Sequence, residues 1–275
     1  MAQIAKPVIK WAGGKAYLLN RIIEIIQKLD TKQYSYCEPM VGGGAVFYRL
    51  YQNFKKATIS DLNPDLINLY RVIQVNVDSL IEELANGKYF YTHKSDPTTL
   101  ANYRAIRASN PQDPIKRAAR TIYLLKTCFN GLMRVNKKDQ FNVPPGSYYN
   151  PTICDSAVLQ AASVAFADTT IAGPGDAAEL IKGLSGRQFL FIDPPYHGGT
   201  FTGYSGKFGD EQQSDLVRTV LDSGHPFIYT NRATGFIIAL FDNSGATLKM
   251  VDLRHSIQPK YTTNVVGREL IAYRF

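Results

Sequence analysis

The sequence predicts an α/β fold: a parallel sheet interrupted by a mainly helical, basic insert that carries a hairpin. Three observations predict it. Short apolar or β-branched runs in the first third each end in a glycine or acid turn and pass into helix-like periodicity, the mark of βαβ units. Similar runs return after residue 188. Between them the composition changes to helices rich in Arg and Ala. The boundaries follow as one body formed by 1–85 and 151–275, with an insert at 86–150.

Taken in order, Ile4 to Leu29 gives an extended stretch, a Gly-Gly turn and a helix with apolar positions Leu18, Leu19, Ile22, Ile23 and Ile26. A short strand at Tyr34–Pro39 precedes Gly42-Gly43-Gly44 and a helical stretch, Ala45–Tyr51. Ala57–Asp61 reads as the next strand, and a helix starts near Pro64, where proline suits the first turn. In the insert, Leu100–Ala108 and Ile115–Lys126 read as helices, followed by a hairpin or long loop from Asn130-Gly131 to Pro144-Pro145-Gly146. Strands are expected again at Phe189–Asp193, Pro226–Thr230, Leu248–Leu253 and Glu269–Phe275.

Charge is distributed unevenly. The 275 residues carry a net charge of +8, and the insert accounts for all of it: eleven Lys/Arg face three acids there, against twenty and twenty elsewhere. A basic segment in a neutral body is the footprint of a polyanion-binding element, although a solvated charged face would look similar. No apolar run reaches the roughly 18–20 residues of a membrane helix, and the N-terminus lacks the apolar core of a signal peptide. Three scattered cysteines (Cys37, Cys128, Cys154) point to a reducing, cytoplasmic setting. The four histidines show no ligand spacing, so no metal is expected.

Two constellations carry chemistry. The glycine loop Gly42–Gly44 lets backbone N–H groups approach a ligand, and Asp61, about 20 residues on, stands where nucleoside-binding folds hold a ribose. That spacing suits NAD as readily as S-adenosylmethionine, and no P-loop pattern occurs. Trp11 and Lys15 of Trp11-Ala12-Gly13-Gly14-Lys15 read equally as a core residue with a helix-start charge, or as an apolar wall with a carboxylate-binding cation. The second constellation is Asp193-Pro194-Pro195-Tyr196, which ends an apolar run in a rigid loop at the carboxyl edge of a strand, where open α/β sheets place ligands. A carboxylate, a fixed carbonyl and a ring suit a planar base with an exocyclic amino group. With adenine flat on Tyr196, Asp193 and the Pro194 carbonyl would accept the N6 hydrogens and aim the nitrogen lone pair at an electrophilic methyl. Such a base must first leave its duplex. Cytosine C5 chemistry would need a cysteine nucleophile, and no cysteine follows a proline.

These motifs resemble the Dam family of DNA adenine-N6 methyltransferases (class D12, alpha arrangement) over nearly the whole chain. The resemblance implies a Rossmann-like S-adenosylmethionine-dependent methyltransferase sheet, duplex DNA as partner, and a bacterial or phage-infected cell. Lys10–Lys15, Glu38–Gly44, Asp61-Leu62-Asn63 and Asp193–Tyr196 match the family's cofactor and catalytic motifs. It implies Asp193, Pro194 and Tyr196 as catalytic, and Trp11, Lys15, Glu38, Pro39, Met40, Gly42, Gly44, Asp61, Leu62, Asp176 and Asp193 as cofactor-binding. In the insert, Phe129 would wedge into the duplex and Asn130 would face the orphaned thymine. Leu132 and Pro144 would touch a thymine methyl, and Arg134 would read a guanine. Lys10, Asn136 and Tyr204 complete the implied DNA contacts, with GATC as target. The chain departs from the family at Phe129, where an aromatic with a hydroxyl is usual, at Pro145, at Ile171–Asp176 and at Arg232-Ala233.

Overall fold

The computed structural model describes residues 5–199, 208–253 and 267–275. In chain order its elements are α1 (Leu19–Ile26), β1 (Ser35–Glu38), α2 (Phe47–Leu50), β2 (Ala57–Ile59), α3 (Pro64–Val75), α4 (Val77–Ala85), α5 (Pro97–Ala108) and α6 (Pro114–Thr127). There follow α7 (Ser156–Phe166), β3 (Thr169–Ile171), α8 (Ala177–Lys182), β4 (Gln188–Ile192), α9 (Asp210–Asp222), β5 (Phe227–Arg232), α10 (Gly235–Ala239), β6 (Thr247–Leu253) and β7 (Gly267–Arg274). The seven strands form one sheet in the order β3-β2-β1-β4-β5-β7-β6. The first five are parallel, and β7 runs antiparallel to both β5 and β6. This is the expected Rossmann-like methyltransferase sheet.

Both faces of the sheet are covered, and the two-residue period of the strands divides the core between them. Tyr36, Phe189, Phe191, Ile228 and Ile271 point into one cluster, with Ile22, Leu66, Tyr103, Ile122 and Phe166 from the helices. Cys37, Leu190, Ile192, Phe227, Tyr229 and Leu270 point into the other, against Ile181, Leu216, Val217 and Ile237. The near-continuous apolar run of β4 follows from this burial on two sides. Every predicted strand is present, with edges shifted by a residue or two. The three-residue β3 and the helices α7 to α10 occupy stretches where the sequence patterns named no element.

Within the insert, α6 packs on α3 and α4 of the body, so Ile122 and Leu125 join the same apolar cluster as Leu66 and Leu69. Two of its acids are spent on helix starts: Asp96 accepts from Thr98 N and Thr99 N, and Asp113 from Lys116 N, each ahead of a proline at the first helical position. Some of its cations are also structural. Arg117 pairs with Asp65 of α3, Arg120 donates to the Ile106 and Arg107 carbonyls at the end of α5, and Arg107 reaches the Val143 carbonyl. Lys88, Lys94, Arg104, Lys116, Lys137 and Lys138 stand exposed. The expected hairpin is a loop tied by antiparallel bridges at Cys128–Pro145 and Val135–Phe141.

Candidate active site

The order of the sheet reverses between β1 and β4, and a crevice opens beyond the carboxyl ends of strands at such a point. A cleft of about 1330 Å³ lies there. It is lined by Trp11, Lys15, Glu38, Pro39, Met40, Gly42, Asp61, Leu62, Asp176 and Asp193, and by Pro194 and Tyr196. Chain segments as far apart as residues 11 and 196 thus meet in one site. Gly44 does not line it. That glycine turns the chain at φ +74°, against the Tyr48 ring.

The glycine loop is held from several sides. Asp61 accepts the Gly42 N–H on one carboxylate oxygen and the Asn63 N–H on the other, both at 2.9 Å. Asn63 in turn caps α3, accepting from Asp65 N and Leu66 N. Tyr70 donates its hydroxyl to the Gly42 carbonyl. The indole of Trp11 lies so close that a Cβ added at Gly42 would sit 2.8 Å from its Cδ1. Trp11 packs against the core on one side and lines the cleft on the other. Glu38 is buried with its carboxylate turned to the Tyr36 hydroxyl at 2.7 Å, and burial holds its pKa well above the usual carboxylate range. Asp176 caps α8 through Ala178 N and Glu179 N.

At the Asp193–Tyr196 loop, the ammonium of Lys15 lies 2.6 Å from Asp193 Oδ2 and also donates to the Gly13 carbonyl. Lys15 is only 3% exposed. Thr230, at the end of the neighbouring strand β5, donates to Asp193 Oδ1 at 2.8 Å. Burial pushes the Asp193 carboxyl upward, while the Lys15 charge and the Lys15 and Thr230 hydrogen bonds pull it back. The same ammonium sits 4.7 Å from the centre of the Tyr196 ring, within cation–π range.

The backbone on both sides of Tyr196 is pinned by a buried amide network that carried no motif signal. Gln213 of α9 donates to the Pro195 carbonyl at 2.7 Å, and Asn231 of β5 accepts the His197 N–H at 2.9 Å. Gln213 and Asn231 bond each other at 3.1 Å and both engage the Tyr229 hydroxyl. None of the cysteines lines the cleft, and burial pushes the thiols of Cys37 and Cys128 up to about 12, so neither supplies a thiolate at neutral pH.

The residues expected to touch DNA form a separate group on the 128–146 loop. Phe129 is 49% exposed at the start of a tight turn, in which Asn130 takes φ +54°. Arg134 is steadied by Asn142, which accepts from its Nε at 2.7 Å and from its guanidinium on the backbone carbonyl at 3.2 Å. Asn136 organises the loop tip by accepting from Lys138 N and Gln140 N. Leu132 is half-buried and Pro144 exposed. Lys10 packs beneath Gly131, where φ is +63° and an added Cβ would meet the Lys10 Cβ at 2.8 Å, so the N-terminal motif and the loop are in contact. Tyr204, with Phe201–Gly203 and His255–Ile257, lies outside the described residues. Among the described residues there is no cluster that could hold a metal ion, and no helix long and apolar enough to cross a membrane.

Comparison with known proteins agrees with this geometry. The chain is 39% identical over 78% of its length to the type II methyltransferase M.MjaIII of Methanocaldococcus jannaschii, covering 78% of that protein. It is 32% identical over 97% of its length to the DNA adenine methylase of Haemophilus influenzae, covering 93% of it, and 28% identical over 96% to that of Escherichia coli K12. The family model for D12 class N6 adenine-specific DNA methyltransferases matches residues 11–257, from the tryptophan that lines the cleft past the Asp193–Tyr196 loop. With the switch-point cleft and its Asp-Pro-Pro-Tyr loop, this match shows that the chain belongs to the D12 class of N6 adenine-specific DNA methyltransferases.

Proposed function

We propose that the protein transfers a methyl group from S-adenosylmethionine to N6 of an adenine flipped out of duplex DNA, at GATC. The observation that carries this reading is the Asp193 carboxylate, oriented by Lys15 and Thr230 in the switch-point cleft beside the Tyr196 ring. The residues present fit the cofactor. Trp11, Met40 and Leu62 offer apolar walls, the glycine loop admits close backbone approach, and the Asp61 carboxylate lines the cleft beside that loop, where a ribose would lie. When bound, S-adenosylmethionine supplies a sulfonium methyl that needs no further activation.

The chain's own groups do the rest. Tyr196 receives the face of the adenine, and Asp193 with the Pro194 carbonyl accepts the two N6 hydrogens, which turns the nitrogen lone pair out of the ring plane. Lys15 favours the ionised form of Asp193 against the upward push of burial, and Asp193 is the nearest base for the proton that N6 sheds. The insert, 86–150, is the DNA-recognition element: exposed lysines meet phosphates, Phe129 fills the gap left by the adenine, and Arg134 presents its guanidinium to a guanine. Sequencing for N6-methyladenine after expression in a methylation-free host tests activity and target together. Methylation outside GATC removes the site assignment, and none at all removes the reaction.

Two further outcomes are expected. Arg134→Ala lowers discrimination at one guanine by about 1–3 kcal/mol, read as methylation rates on matched and singly substituted duplexes. An unchanged preference would remove Arg134 as the reader. Gly42→Ala forces a side chain into the Trp11 indole at a positive φ that costs about 1–2 kcal/mol for other residues. S-adenosylmethionine affinity by calorimetry should therefore fall about tenfold or more, at the rate of 1.4 kcal/mol per decade, and retained affinity would place the cofactor elsewhere.

A further inference from the structure

Glu269, at the start of the buried part of β7, belongs to none of the motifs and yet lines the cleft. It is 4% exposed. One of its oxygens, Oε1, accepts the hydroxyl of Tyr196 at 2.7 Å and also that of Tyr17. Its other oxygen, Oε2, is buried without a hydrogen-bond partner among the described residues. A side chain kept only to fill β7 would be apolar, like its successors Leu270, Ile271 and Ala272. A buried carboxylate with an unsatisfied oxygen is a costly filler, and its accepting strength is concentrated on two phenols.

The placement explains what those bonds accomplish. Tyr196 is held at its backbone by Gln213 and Asn231, but those contacts leave the ring free to turn about its side-chain bonds. A bond at the hydroxyl, which lies on the ring axis, fixes the direction in which the ring points, so the position of the ring is set before the base arrives. Tyr17 follows Lys15 by two residues, so the same carboxylate ties the segment that orients Asp193 to the segment that carries Tyr196.

We propose that Glu269 is a positioning residue for methyl transfer, acting through the hydroxyl of Tyr196 to fix the ring on which the target base stacks. The inference rests on the adenine-stacking role proposed for Tyr196. It is tested with the full chain on a duplex containing GATC, following single-turnover methyl transfer, duplex affinity and melting temperature. Glu269→Leu should lower the transfer rate about fifty-fold with duplex affinity within threefold, and Glu269→Gln, which restores an acceptor, should recover at least tenfold of that loss. Tyr196→Phe, which cuts the same bond from the loop side without disturbing β7, should lower the rate at least tenfold. The double variant Tyr196→Phe with Glu269→Leu should be within twofold of the slower of the two single variants. Losses that multiply in the double variant, or a Tyr196→Phe enzyme of wild-type rate, would overturn the tether while leaving the methyltransferase reading intact. A wild-type chain that methylates no adenine would overturn both. Should Glu269→Leu fail to fold, Tyr196→Phe and Glu269→Gln decide the matter by themselves.

Discussion

Asp193→Ala is expected to abolish methyl transfer, with a fall of at least about 10²–10³-fold in rate, the scale seen when a single preorganised polar contact to a reacting group is removed. DNA affinity should be retained, because the exposed lysines, Phe129 and Arg134 stand on a loop and helices away from the cleft. The substitution deletes the acceptor for an N6 hydrogen and strands Lys15, whose ammonium is buried against this carboxylate. Removing one partner of a buried pair costs about 3–5 kcal/mol of stability, so a lower melting temperature should accompany the lost activity. Asp193→Asn keeps the shape and an acceptor oxygen for Thr230 but has no charge for Lys15. Its transfer rate should also collapse, and its melting temperature should stay below that of the wild type because Lys15 still lacks a counter-charge. Filter-binding and single-turnover assays on the same duplex read both quantities, and turnover retained in either variant would end the assignment of Asp193 to the reaction.

Much of this site was legible in the chain because local chemistry marks it. An apolar run ended by Asp193-Pro194-Pro195-Tyr196 specifies a buried strand and a stiff loop, and β4 ends there as expected. Glycines before a helix and an acid after the next strand specified the loop that Asp61 holds. What stayed hidden depends on contacts between distant segments. Lys15 read equally as a helix-start charge or as a cation for a ligand carboxylate, and its bond to Asp193, 178 positions away, was in neither reading. Glu269 sits in a strand whose pattern announces only burial, and Gln213 on an ordinary amphipathic helix, α9. Net charge assigned all of the insert's excess to polyanion binding, but Arg107, Arg117 and Arg120 are spent on carbonyls and on Asp65. The three residues of β3 were too few to show a period, and its place is set by pairing with β2.

Lys15→Met should produce the second large effect, one that depends on pH. Burial raises the Asp193 carboxyl above its ordinary range, and Lys15 opposes that rise by its charge and its hydrogen bond. The active form is the carboxylate, since a protonated acid gives up much of its accepting strength toward N6. Transfer is therefore lost as pH falls through the Asp193 pKa. Removing the ammonium leaves burial less opposed, so the pKa moves upward and the acid limb moves with it. Below the shifted limb each unit is a factor of about ten in the ionised fraction. The variant should be slower than the wild type near neutrality and recover toward the wild-type rate in more alkaline buffer. Lys15→Arg should not fully substitute for the wild type, because a planar guanidinium fork cannot reproduce the compact ammonium that meets Asp193, the Gly13 carbonyl and the Tyr196 ring together. Single-turnover rates across the pH range for both proteins, at saturating cofactor, make the comparison. A variant slowed by the same factor at every pH would show that Lys15 acts on cofactor binding or loop structure and not on the charge of Asp193.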